Sequence, residues 1–367
     1  MLLSGFFMSR RIFAGFLKYD TDMNYPRYDR HQSYQWNYDH APDPVAVDVP
    51  SWPAPITLCG KSLKSPLGIP AGPLLNGRWC LYYASLGFDL VTYKTVRSGV
   101  RACYDLPNLQ PVSVEMLQGG EADVPIQNQM TGSWAVSYGM PSMEPEIWCA
   151  DVGLTRELLP EDKLLSVSVV GTIQPDWTLQ QLADDYALCA RLAVESGADF
   201  IEANFSCPNV STCDGQLYQN PSDCLTVVEK IRQQIGSTPL IGKIGRIMDS
   251  TAMQQLLSAI HPFVDALAMT NSIATRVRKA DGSYLFDGEM RGICGKATLD
   301  ASVQQTHMAK QLIEENHFDL DLIGVGGASC LEDVQRYLAA GASAVHLATA
   351  AMEAPEIGLN IKSAKAS

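Results

Sequence analysis

Eight short runs of apolar and β-branched residues, separated by stretches of helical periodicity, constrain this chain more than any other feature. They fall at 67–71, 90–95, 164–170, 200–205, 240–244, 266–270, 322–325 and 344–348. Near-continuous apolar runs mark strands buried on both faces, the condition of a parallel sheet covered by helices. Eight such strands close the common (β/α)8 barrel. The stretches between them supply the helices: 179–196 carries an apolar stripe through Leu182, Tyr186, Cys189, Leu192 and Ala193 before Gly197, and 302–315 and 331–340 read alike. The expected class is α/β, a TIM barrel over residues 56–367 with an N-terminal extension over 1–55 and long top-face loops.

Composition removes several function classes. With 367 residues and 46% hydrophobic content there is material for a large core, while a net charge of −13 repels phosphate backbones and excludes nucleic acid as a general partner. The ten cysteines are scattered without CxxC or Cys/His spacing, so no metal or iron–sulfur site is expected and a reducing, cytoplasmic setting is. No uncharged apolar run reaches the length of a membrane span. Three readings stay open for residues 1–17, which alternate Leu and Phe around Arg10 and Arg11: an amphipathic helix on a membrane surface or partner, a helix packed under the barrel, or translation from Met8. The charges follow the apolar run, unlike a secretory signal. Residues 19–55 lack a sustained period and read as an irregular lead-in.

The strand ends carry the chemistry. Just past the eight runs stand Ala71-Gly72, Lys94-Thr95, Gly171, Asn204 with Ser206-Cys207-Pro208-Asn209, Lys243, Asn271-Ser272, Gly326-Gly327 and Thr349. Two connections too long for plain loops, 96–162 and 271–297, leave the same ends and belong to the same face. The sequence GVGGAS at 324–329 allows the close backbone approach of a phosphate cradle after strands seven and eight, or serves only a tight turn. Lys243, flanked by apolar residues in IGKIG, either points into the barrel and meets an anion or lies at a solvent-facing strand edge; Lys94 repeats the situation. Cys207 stands in a polar loop at a strand end, where a thiol with an unperturbed pKa of about 8.5 is readily tuned to act as a base. A redox pair with Cys213 is the other reading.

NFSCPN at 204–209, GKIG at 242–245, TNS at 270–272, RGICGKA at 291–297, SYGMPS at 137–142 and the long run 323–350 together resemble the dihydroorotate dehydrogenase family, its soluble class 1 branch. The resemblance spans about 66–352. It implies a barrel holding FMN that oxidises a dihydropyrimidine at its C5–C6 bond. By that resemblance Cys207 is the base at C5, and Lys243 stabilises the charge that builds up on the flavin. Lys94 contacts flavin and substrate. Ser137, Gly139, Met140, Asn204, Asn209, Asn271 and Ser272 hold the substrate, because each amide side chain offers a donor and an acceptor to alternating N–H and C=O groups. Ala71, Gly72, Thr95, Asn204, Gly295, Gly326, Gly327, Ala348 and Thr349 hold FMN. Fumarate or another electron acceptor and a homodimer complete what the resemblance implies.

Three positions depart from the pattern: Arg291-Gly292 stands where a pair of glycines is expected, Ala348 stands where Gly is usual and still offers its backbone amide, and Val136 is the serious one. Val136 precedes Ser137 where the family pattern has Asn, so one substrate hydrogen bond is expected to be missing, at about 1–3 kcal/mol if its partner stays unpaired. Arg291 is a candidate to compensate. Two other readings therefore stand beside the first: a related flavin oxidoreductase on another dihydropyrimidine or cyclic amide, and a flavin-binding barrel without turnover.

Overall fold

The computed structural model describes residues 25–172, 174–206 and 213–366. Eight parallel strands close into a barrel in chain order. They are β1 (Leu67–Ile69), β2 (Leu90–Val96), β3 (Leu164–Val169), β4 (Phe200–Asn204), β5 (Leu240–Lys243), β6 (Ala266–Met269), β7 (Asp321–Val325) and β8 (Ala344–His346). A helix follows each: α1 (Gly77–Ser85), α2 (Pro145–Leu158), α3 (Leu179–Glu195), α4 (Pro221–Ile235), α5 (Ser250–Ile260), α6 (Leu299–Glu315), α7 (Leu331–Ala339) and α8 (Ile357–Ala366). All eight expected strands are present, and the fold is the expected (β/α)8 barrel.

Local sequence explains the boundaries. β2 is buried at all seven positions, as a strand between helices and barrel interior requires. Asn76 caps α1 by accepting from the Trp79 N–H, and Thr178 with Gln181 forms a reciprocal capping box at the start of α3. The buried face of α3 runs through Leu182, Tyr186, Cys189 and Ala193, the stripe read from sequence.

The barrel itself has two separate cores. A large shell packs the outer strand faces against the helices, with Trp79, Trp148, Tyr186 and Tyr337 fully buried in it. A smaller core fills the lower barrel: Leu90, Phe200, Ile241, Ala266, Ile323 and Ala344. Its floor is an antiparallel hairpin, Ile56–Leu58 with Lys61–Leu63, which pushes Leu58 and Leu63 into the barrel mouth.

The two long connections are not loops. They assemble a five-stranded sheet in the order Leu109–Pro111, Ser133–Val136, Arg291–Gly295, Ile273–Arg278, Asp123–Pro125, over its own core of Val112, Leu117, Val124, Ile273 and Ile293. Pairing between distant segments, such as Asp123 with Arg276 and Val136 with Gly292, leaves no local periodicity to read. Ahead of the barrel, the short helix Tyr34–Asp39 is tied to α1, with Trp79 Nε1 donating to Asn37 O at 3.0 Å and Asn76 Nδ2 to Tyr38 O at 2.8 Å. No helix among the described residues is long and apolar enough to cross a membrane.

At the closed end, Asp89 is buried between two ammonium groups, Lys163 Nζ at 2.8 Å and Lys362 Nζ at 2.8 Å. Burial alone raises a carboxyl pKa, but the two lysines overcome it and hold Asp89 below the usual value. Lys362 lies on α8, so this contact ties the last helix to the second strand. Asp89→Asn leaves two buried cations short of a counter-charge and is expected to lower stability by about 3–5 kcal/mol in chemical denaturation. Because the folded pKa is depressed, this contribution is present above the ordinary Asp value of about 3.9 and is lost as pH falls through the folded pKa.

Candidate active site

Strand alternation decides which β4 side chains face the barrel axis: Phe200, Glu202 and Asn204 point in, while Ile201 and Ala203 join the outer shell. Asn204 ends the strand on the top face. Its Nδ2 approaches Thr95 Oγ1 at 3.4 Å and Met140 Sδ at 3.6 Å, and its Oδ1 accepts from Ser206 N at 3.2 Å. Thr95 Oγ1 in turn meets Ser168 Oγ at 2.9 Å. A register irregularity between Tyr93 and Val96 breaks the alternation in β2, so the adjacent Lys94 and Thr95 are both buried. Lys94 Nζ stands 5.7 Å from the centroid of Tyr34, a cation–π contact from the N-terminal segment.

Lys243 is 4% exposed and its Nζ lies 3.4 Å from Glu202 Oε1, so the solvent-facing reading is excluded and the anion it meets belongs to the chain itself. Asn271 donates through Nδ2 to Ser206 O, joining the β6 and β4 exits, and half-buried Ser272 follows it. Ser137, Gly139 and Met140 lie on a segment held from several sides. Ser137 N donates to Asn108 O at 2.8 Å, Asn108 Nδ2 donates to Ser137 O at 3.0 Å, and Arg97 Nε donates to Met140 O at 3.1 Å. Gly139 and Met140 both adopt positive φ, 74° and 51°, and a Cβ on Gly139 would stand 2.8 Å from the Tyr104 ring. Arg97 also reaches Gly171 O and Thr172 Oγ1, each at 2.9 Å.

Gly295, Gly326, Gly327, Ala348 and Thr349 line one cavity of about 120 Å³, with Asn271 and Cys294 at its inner side. The glycines are required. Gly326 and Gly327 have φ of 126° and 77°, and Cβ atoms there would lie 2.5 Å from Ser302 Oγ and 2.8 Å from Leu299 Cβ. Ser302 Oγ and Thr349 Oγ1 are buried without a hydrogen-bond partner among the described residues. Of the two, Thr349 lines the cavity, and its unused hydroxyl with a backbone open to close approach suits an anionic phosphate. A larger groove of about 660 Å³ at the opposite end is lined by Asp265, Glu314, Asp319 and Asp321 and repels such a group. Ala71 and Gly72 leave β1 on the top face outside the 120 Å³ cavity, buried and exposed respectively. Cys207 and Asn209 lie outside the described residues, as do residues 1–17. Cys294 is the cysteine that lines the cavity, and burial pushes its thiol up to about 12 against the opposing pull of Lys243, which leaves it protonated.

Sequence reasoning missed Glu202, His346, Arg97 and Asn108. All four are buried polar residues, and the first three interrupt or end apolar strand runs, which was the available signal. Arg291, the proposed compensation for Val136, donates through Nε to Ser137 Oγ at 2.9 Å and stacks between Tyr104 and Phe286, 5.4 and 4.9 Å from their centroids.

A family model described as dihydroorotate dehydrogenase matches residues 54–364. A dihydroorotate dehydrogenase from Dictyostelium discoideum is 30% identical over 92% of this chain and 96% of its own length. The chain belongs to the dihydroorotate dehydrogenase family. A catalytic subunit of the NAD(+)-dependent enzyme from Desulforudis audaxviator is 26% identical over 82% of this chain and 87% of that protein, and a quinone-type enzyme from Pseudoalteromonas translucida is 24% identical over 80% and 82%. A solved dihydroorotate dehydrogenase from Eimeria tenella, in complex with ferulenol, shares the fold with a TM-score of 0.68 at 15% identity, covering 84% of this chain and 82% of the other. As a member of the dihydroorotate dehydrogenase family, the chain is an oxidoreductase acting on a CH–CH donor, in a flavin-dependent family of pyrimidine biosynthesis.

His346 sits one layer below the site, 1% exposed, with its ring over Gly68, whose missing Cβ makes room for it. Burial, with the charge of Lys243 acting in the same direction, lowers its pKa to about 3, so the ring is neutral at neutral pH. Its ring carbons are expected to show no titration between pH 5 and 8 by NMR. Since the folded pKa lies below that of a free histidine, stability falls as pH drops below about 6.5.

Proposed function

We propose that this chain is an FMN-dependent dihydroorotate dehydrogenase that oxidises dihydroorotate to orotate. The observation that carries the reading is the 120 Å³ glycine-lined cavity with the unpartnered Thr349 hydroxyl on its wall, which also takes in Asn271. In this reading the FMN phosphate is held by Gly295, Gly326, Gly327, Ala348 and Thr349, while Ala71, Gly72, Thr95, Asn204, Lys94 and Lys243 border the ring. FMN, when bound, supplies a two-electron acceptor for the hydride leaving C6.

The chain's own residues do the rest. Cys207 removes the proton from C5, a task that calls for a thiolate and therefore for cations or amide dipoles at the strand end. Asn204, Asn209, Asn271, Ser272 and the segment with Ser137, Gly139 and Met140 hold the ring's amide edges and carboxylate. Arg97 grips Met140 O and Asn108 grips Ser137, so these donors are fixed before substrate arrives. Lys94 and Lys243 place positive charge where negative charge develops. The ordered motifs support the class 1 branch, in which Cys stands at the position of Cys207. Fumarate is the proposed electron acceptor and a homodimer the proposed assembly, and residues 1–17 are proposed to contact a membrane surface or partner.

The purified protein is expected to be yellow and to release FMN on denaturation; a colourless preparation overturns the reading. Anaerobic dihydroorotate should bleach the flavin. Cys207→Ala is expected to slow that bleaching by about 10²–10⁴-fold with flavin content retained, and a variant that bleaches at the parental rate removes Cys207 from its role. Reoxidation by a panel of fumarate, NAD(+) and quinones, with and without detergent, identifies the acceptor.

A further inference from the structure

Charge is concentrated at one place inside the barrel. Glu202 on β4 is fully buried, Lys243 on β5 is 4% exposed, and Nζ to Oε1 is 3.4 Å. Strand register explains the contact: Asn204 stands opposite Lys243 and Glu202 opposite Ile241, so the lysine belongs to the layer of Asn204 and reaches down one layer to the carboxylate. Glu202 Oε2 meets no partner among the described residues, nor does either ring nitrogen of His346. His346 carries no charge at neutral pH. The charge of Lys243 is therefore balanced by Glu202.

A buried carboxylate with a free oxygen is costly for the fold, and burial alone does not explain why it stands here. Lys243 has two neighbours to serve: Glu202 below and, in the function proposed above, the flavin above. We propose that Glu202 is a positioning residue that anchors the Lys243 ammonium and sets how much positive charge the flavin experiences. This rests on the reading that Lys243 adjoins the flavin. With the carboxylate in place the layer is net neutral, and the field at the flavin is that of an oriented pair. Without it the field is that of a bare cation, which favours any negative charge on the flavin.

Sulfite is a suitable probe, because it adds to oxidised flavins through a sulfur–nitrogen bond and leaves negative charge on the ring without needing substrate or Cys207. The flavin-loaded Glu202→Gln protein keeps the side-chain volume and an oxygen for the ammonium. It is expected to bind sulfite roughly tenfold more tightly than the parent, and its flavin midpoint potential to rise by the equivalent of about 30 mV for a two-electron couple. Unchanged or weaker sulfite binding overturns the proposal. Lys243→Met by itself separates the two readings. Weaker sulfite binding in Lys243→Met with a silent Glu202→Gln rejects only the role of Glu202, whereas a silent Lys243→Met rejects the placement of Lys243 beside the flavin. Should Glu202→Gln fail to fold, Glu202→Asp carries the test: withdrawing the carboxylate by one methylene tightens sulfite binding by roughly twofold, and parental affinity overturns the proposal.

Discussion

The ion pair of Glu202 with Lys243 is the interaction on which the upper half of this barrel is built. An ammonium in a dry interior survives only with a counter-charge, and here the counter-charge is one layer lower on the neighbouring strand. That choice fixes much around it. The layer of Glu202 is polar, with Ser168 opposite it in register, and Thr92, Ser166 and His346 are further polar groups buried in the barrel strands. Space for the His346 ring exists because β1 carries Gly68 where any side chain would collide with it. Below this layer the interior turns wholly apolar, through Leu90, Phe200 and Ala344 to the hairpin leucines that close the floor.

The division of labour along the barrel axis follows. Apolar burial at the bottom supplies stability, at roughly 25 cal/mol per Å² of area removed from water, and Asp89 with its two lysines ties the last helix to the start of the second strand there. The top supplies groups that water or ligand must satisfy. Between them, a polar layer with unpartnered atoms is tolerated because both neighbours are rigid. Arg97 shows the same logic at the rim, where one buried guanidinium joins the β2 and β3 exits to the Met140 backbone through hydrogen bonds of 2.9 to 3.1 Å.

The barrel was legible because its strands are buried on both faces and so read as unbroken apolar runs; β2, buried at seven of seven positions, is the clearest. The hairpin floor was not legible, since each of its strands is three residues long and buries one side chain fully. The top-face sheet was hidden for a related reason. Leu109–Pro111 and Asp123–Pro125 are too short for periodicity and find their partners through the distant Ile273–Arg278 and Arg291–Gly295 segments. Lys243 was legible as a cation inside an apolar strand, and the same run of reasoning applied to Phe200–Asn204 would have marked Glu202 as its answering anion. A cation and an anion on neighbouring strands meet only through register, which a single sequence does not display.

Register also bears on how substrate is distinguished. In Ser133–Val136 the alternation places Val136 and Ser137 on opposite sides, and Arg291 serves Ser137 while its guanidinium is stacked between Tyr104 and Phe286. Those contacts hold the arginine on the Ser137 side, so the polar group absent at Val136 is not replaced by it within the described residues. Asn108 does not replace it either, because its amide is spent on the backbone of Tyr104 and Ser137. In the proposed function, recognition then shifts toward the backbone of Gly139 and Met140, both of which have positive φ. A site that reads its ligand through backbone groups clamped by Arg97 and Asn108 discriminates by shape and ring position. Selectivity from a single side-chain amide has correspondingly less weight here, since what rejects a wrong ring is an unpaired buried peptide group.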